Sequence, residues 1–94
     1  MESKSVYKIP NGKLLKISLK YDEKSNLINH IIITGDFFAY PEEAIELIEK
    51  KLVNTKIEKN ILQKKINNVI KVNKIEFIGL DAEGLTHGIM MCLQ

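Results

Sequence analysis

Apolar and polar residues alternate one by one along the segment Lys13 to Tyr21: Leu15, Ile17, Leu19 and Tyr21 take one side, Lys16, Ser18 and Lys20 the other. A period of two predicts a strand in a sheet with one buried and one solvated face. Ser5 to Ile9 forms the preceding strand of a predicted β-hairpin, and Asn11-Gly12 is expected to supply the two positive-φ residues of a tight turn. Beyond the polar Asp22–Asn26 connection, Leu27 to Thr34 is rich in β-branched residues (Ile28, Ile31, Ile32, Ile33) but alternates poorly. That pattern predicts either a central strand or one carrying a bulge.

The period then changes to helical. Ala44, Ile45, Ile48 and Leu52 fall three or four residues apart, with Leu47 widening the stripe, behind a start at Pro41-Glu42-Glu43. Proline is tolerated in a first helical turn, and carboxylates there face the positive end of the helix dipole. Ile57, Ile61, Leu62, Ile66, Val69 and Ile70 predict a second helix. A short extended piece near Ile75 to Ile78 leads to Gly79-Leu80-Asp81, which can cap a last helix with the stripe Ala82, Leu85, Ile89 and Leu93. Gly84 and Gly88 weaken that helix in isolation. The expected fold is α+β: a three-stranded antiparallel meander followed by three helices packed on the sheet.

At 94 residues the chain has room for one compact domain, residues 1–94, because single domains run to about 50–200 residues. Fourteen lysines face twelve carboxylates, a formal charge of +2, and no residue is arginine. Phosphate and base-edge recognition exploit the guanidinium fork, so this lysine-only set argues against nucleic-acid binding. Cys92 is the single cysteine, which excludes an intrachain disulfide or a multi-thiolate metal site and fits a reducing, cytoplasmic location. No secretory signal or membrane-spanning run is expected.

The segment Ile33-Thr34-Gly35-Asp36-Phe37-Phe38-Ala39-Tyr40-Pro41-Glu42-Glu43-Ala44 leaves a strand and enters a helix. From the residues alone it is a turn: Gly35 permits a backbone closed to most residues, and Asp36 can accept hydrogen bonds from nearby free N–H groups. Phe37 and Phe38 are adjacent and point in different directions. Either both tuck over the end of the sheet, or one is left as an anchor for a partner.

These residues carry a resemblance. Gly12-Lys13-Leu14 in the hairpin, ITGDFF followed by PEEAIELIEKKL, and the closing IEFIGLDAEGL resemble the C-terminal accessory domain of lipoate-protein ligases over about Val6 to Leu93. The resemblance implies a division of labour in which a larger catalytic subunit binds ATP, Mg and lipoate, forms lipoyl-AMP, and transfers the lipoyl group to a lysine of a lipoyl-acceptor domain. Some microbes, notably archaea, split such a ligase in two. This chain has neither an RRxSGG-like stretch nor a Walker-type loop, so it is expected to be non-catalytic and to bind no cofactor alone. Thr34, Gly35, Asp36, Phe37, Phe38, Pro41 and Glu42 are then expected at the partner interface, or in a loop that closes the active site.

The competing readings use other residues. His30, His87 and Cys92 are the candidate soft metal ligands, but the step from His87 to Cys92 does not share a helical face. The fold also resembles sulfur-acceptor and iron–sulfur scaffold proteins, whose chemistry needs loop cysteines that are lacking here. A general protein-interaction module remains open. Asp36 with Glu42 and Glu43 offers carboxylates for acid–base chemistry, but carboxylates at a helix start usually act as electrostatic caps.

Overall fold

The computed structural model describes residues 1–93, among which lie five strands and three helices. They run in the order β1 (Glu2–Lys8), β2 (Leu14–Tyr21), β3 (Ile28–Gly35), β4 (Phe38–Tyr40), α1 (Ala44–Leu52), α2 (Lys59–Val72), β5 (Glu76–Ile78) and α3 (Ala82–Met91). β1, β2 and β3 form the antiparallel meander, with β2 in the centre. Leu15, Ile17 and Leu19 on its inner side are 0–2% exposed, as the alternation requires.

The hairpin is wider than expected. Lys8 pairs with Leu14, leaving Ile9–Lys13 as the connection, and Asn11 takes a positive φ of 59° while Gly12 does not. The cause is Ile9, which turns inward to 4% exposure. A β-carbon on Gly12 would lie 2.9 Å from the Ile9 side chain and from the Gly79 carbonyl oxygen, so close approach is what requires glycine there.

β3 is an edge strand rather than a central one, and it carries the bulge. Lys20 faces His30 and Tyr21 faces Ile28, so Asn29 is passed over. Strict alternation would put Ile28 on the opposite face from Ile31 and Ile33. The extra residue resets the phase, and all three are buried at 3% exposure or less. The Glu49 carboxylate of α1 accepts a hydrogen bond from the Ile33 N–H at 2.8 Å, tying the helix to this strand.

α1 and α3 cover the inner face of the sheet, and α2 packs against both helices. The stripes are narrower than the periodicity suggests. Ala44, Ile48 and Leu52 are fully buried in α1 while Ile45 and Leu47 are half-buried. In α2 the buried residues are Leu62, Ile66 and Val69, whereas Ile61 is 39% exposed and the buried Ile57 precedes the helix. Gly84 and Gly88 mark where α3 lies closest to its neighbours: a β-carbon would sit 3.2 Å from Ile9 at Gly84 and 2.8 Å from Leu15 at Gly88. The Asp81 side chain caps α3 by accepting from the Gly84 N–H at 2.6 Å, an interaction that contributes about 1 kcal/mol.

Two expectations fail around the Phe37–Glu43 segment. Phe38–Tyr40 is not a connection but β4, which pairs antiparallel with β5 in a separate two-stranded ribbon. Because Tyr40 is still held opposite Glu76, the chain can reverse only afterwards, and Pro41-Glu42-Glu43 forms a turn instead of the first helical residues. The Pro41 carbonyl accepts from the Ala44 N–H at 2.9 Å, and α1 begins there.

Candidate functional site

The ribbon gathers the apolar residues that the core leaves out. Phe38 stands opposite Ile78, and Tyr40 opposite Glu76. Alternation along each strand puts these four on one side of the ribbon. Phe38, Tyr40 and Ile78 are 73%, 70% and 69% exposed. The intervening Ala39 and Phe77 point the other way and pack against the core, as does Phe37. Of the two adjacent phenylalanines, therefore, Phe37 belongs to the fold and Phe38 is free.

Gly35 sets where the ribbon starts. It pairs with Leu15 at the end of β3 with φ at 155°, and a β-carbon would run into the Leu14 carbonyl oxygen. That oxygen instead accepts the Asp36 N–H at 3.1 Å. The Asp36 side chain is exposed and makes no hydrogen bond among the described residues, so its expected role as an acceptor for free N–H groups is not what holds the turn. With Glu42, Glu43 and Glu46 it gives this stretch of surface an acidic character, with no lysine between Thr34 and Glu49.

The structure divides the other expected residues. Thr34 lies on the outer face of the meander, opposite Lys16, and does not belong to the ribbon. Pro41 is half-buried in the turn, and Glu42 is exposed beside it. Tyr40 and Ile78 were not anticipated. The large-small-large order of Phe38-Ala39-Tyr40 was the signal for a one-sided strand, while nothing local announced that Ile78 would face Phe38.

An arrangement of this kind can serve as a binding surface. An exposed apolar centre with a charged margin is the common layout of a protein interface. The remaining chemistry-bearing residues are dispersed. His30 is exposed on β3, and the His87 ring packs against Tyr7 in a tilted arrangement with centroids 4.5 Å apart. That pair lines a concavity of about 450 Å3 with Pro10, Met90 and the exposed Lys59 and Asp81. Among the described residues no group of three or more His, Cys, Asp or Glu side chains is placed to hold a metal. Cys92 is buried, with its sulfur 3.5 Å from the Ser5 hydroxyl, and burial pushes its thiol pKa up. A protonated, covered thiol is a poor nucleophile, which weighs against sulfur acceptance.

The fold and the sequence are similar to those of known proteins. A solved structure of an archaeal lipoylation system from Thermoplasma acidophilum, described as a bi-partite lipoate protein ligase and its E2 lipoyl domain, contains a chain of the same fold. The TM-score is 0.70 at 26% identity, covering 95% of this chain and 94% of that one. No curated protein sequence matches. The family defined by the bacterial lipoate protein ligase C-terminus matches residues 8–87. Since that match runs from the end of β1 into α3 and takes in the whole ribbon, the chain belongs to the bacterial lipoate protein ligase C-terminus family.

Proposed function

We propose that this chain is the non-catalytic accessory subunit of a two-part lipoate-protein ligase. A larger subunit carries ATP, Mg and lipoate, and requires this one to make lipoyl-AMP before transfer to a lysine of an acceptor domain. The reading rests on the family match together with one observation: Phe38, Tyr40 and Ile78 are exposed on a ribbon built by the family-like loop. The solved relative of nearly equal extent comes from a bi-partite ligase, which supports a separate catalytic partner. No helix among the described residues is long and apolar enough to cross a membrane.

Activation joins the lipoate carboxylate to the AMP phosphate as pyrophosphate leaves, giving a mixed anhydride that water would destroy. Docking of the ribbon beside the nucleotide pocket closes the larger subunit, holds the reacting groups in line and excludes water. The interaction is tested by mixing the purified chain with a ligase-like protein that lacks its own C-terminal domain. Co-elution as a heterodimer is expected, and separate elution at micromolar concentration would refute the reading.

The exposed Asp36 serves the complex rather than the fold. Asp36→Ala is expected to slow adenylate formation by the complex at least about tenfold, while thermal unfolding shows a change within about 0.5 kcal/mol. Equal adenylation rates would show that the turn acts only through its apolar neighbours.

A further inference from the structure

The two edges of the meander end differently. On β3 the Glu49 carboxylate accepts the Ile33 N–H, and Ile28 donates to the Thr55 carbonyl oxygen and accepts from the Asn54 N–H at 3.0 and 2.7 Å. On β1 the ends of the strand show which groups are used. Met1 exchanges hydrogen bonds with Tyr21 of β2 at 3.0 and 2.9 Å, and the Ile9 N–H donates to the Lys13 carbonyl oxygen at 3.2 Å. The register between them is unbroken, so Ser3, Ser5 and Tyr7 bond to β2, while Glu2, Lys4, Val6 and Lys8 aim their N–H and C=O groups outward. Those outward groups have no backbone partner among the described residues. Open edges are often blunted by a proline, a bulge or a charge on the inner side, and β1 has none of these.

We infer that β1 pairs antiparallel with β1 of a second copy of this chain about a two-fold axis at Ser5, joining two three-stranded meanders into one sheet. Only the outward residues can bond across this edge, so its registers differ by steps of two. Centred on Ser5, the whole of Glu2–Lys8 is paired: Glu2 faces Lys8 of the second copy at either end, and Lys4 faces Val6. A shift one way sets Lys4 against Lys4, and a shift the other way sets Lys4 against Lys8, with like charges directly opposed. The exposed lysines thus select one register instead of closing the edge. On the inner face Tyr7 meets Ser3 and Ser5 meets Ser5, so no bulky pair obstructs the join. The helices also fit. α3 lies over both β1 and β2; with strands about 4.8 Å apart, its axis comes about 9–10 Å from that of its counterpart, the spacing of packed helices. A second copy is the partner whose complementary charges are known, because the strand carries both signs itself. The ribbon supplies none of the paired residues, so each copy can still hold a catalytic subunit one to one, and the inference stands apart from the ligase reading.

The test is light scattering on the isolated chain. At about 100 µM, above a micromolar Kd, the expected mass is 21.6 kDa, twice the 10.8 kDa of one chain, falling toward 10.8 kDa on dilution. V6P removes an N–H that points away from β2, so it should give a monomer whose Tm is within a few degrees of the unaltered chain. K8E sets a carboxylate against Glu2 and should weaken the pairing about tenfold, and E2K/K8E should restore it. Amide exchange reads the register: Glu2, Lys4, Val6 and Lys8 should gain protection as concentration rises, whereas Ser3, Ser5 and Tyr7 are protected throughout. A mass of 10.8 kDa at every concentration overturns the inference, as does a dimer that V6P leaves intact. So does a V6P effect confined to pairing with a catalytic subunit, which would give the edge to that subunit. Should V6P fail to fold, the charge swap decides alone, and equal dimer affinities for the unaltered chain, K8E and E2K/K8E overturn the inference.

Discussion

Replacing Phe38 by Asp is expected to weaken the pairing of this chain with the catalytic subunit by about 30- to 700-fold, the equivalent of about 2–4 kcal/mol for a central interface anchor. The substitution removes the ring that is 73% exposed on the ribbon. It also adds a carboxylate to a segment that already carries the exposed Asp36, Glu42, Glu43 and Glu46. The chain's own stability should barely change, because the Phe38 side chain projects from the core while Phe37 packs into it. Titration calorimetry gives the affinity and thermal unfolding of the isolated variant gives the control. An unaltered Kd would remove the ribbon from the interface.

The second large effect is on folding. Gly88→Val should destabilise the chain by about 2–4 kcal/mol, because overpacking alone costs about 1–3 kcal/mol and a displaced helix leaves a buried group unpaired. A β-carbon at Gly88 would meet Leu15 Cδ2 at 2.8 Å, and Leu15 is 0% exposed, so neither side can yield cheaply. Moving α3 away would also stretch the hydrogen bond from the buried Ser5 hydroxyl to the Gly88 carbonyl oxygen, 2.7 Å long. Valine's better helix propensity offsets only a few tenths of a kcal/mol. The expected fall in Tm is roughly 10–30 °C, read by circular dichroism. A Tm within a few degrees of the unaltered chain would mean that α3 does not lie on the sheet as described.

These two sites also show what was legible in the residues. The inner face of β2 could be read directly, because Leu15, Ile17 and Leu19 alternate without interruption and a single buried side forces that pattern. The glycines of α3 looked like defects in a helix, since propensity scores a residue against an isolated helix and carries no term for Ser5, Ile9 or Leu15 arriving from strands far away in sequence. The bulge at Asn29 was half visible: poor alternation signalled a break in phase, but only the pairing with Lys20 and Tyr21 located it.

The ribbon was the least legible part. β4 is three residues long and its partner β5 lies beyond two helices, so no local period could link them. Once they pair, the neighbouring Pro41-Glu42-Glu43 must become a turn, which explains why the helix start shifted with it. The Thr34–Glu42 segment could be picked out in the chain, but the exposed apolar surface it builds with β5 could not. Phe38 was among the expected residues, but the apolar platform also needs Tyr40 and Ile78, which come together only through strand pairing.

The most direct measurement of the whole account is the rate of lipoyl-AMP formation from lipoate and ATP by the larger subunit, titrated with this chain in the absence of any acceptor domain. The account predicts little product without the chain, a rise that saturates at one equivalent, and no product from the chain alone. A rate independent of the added chain would contradict it.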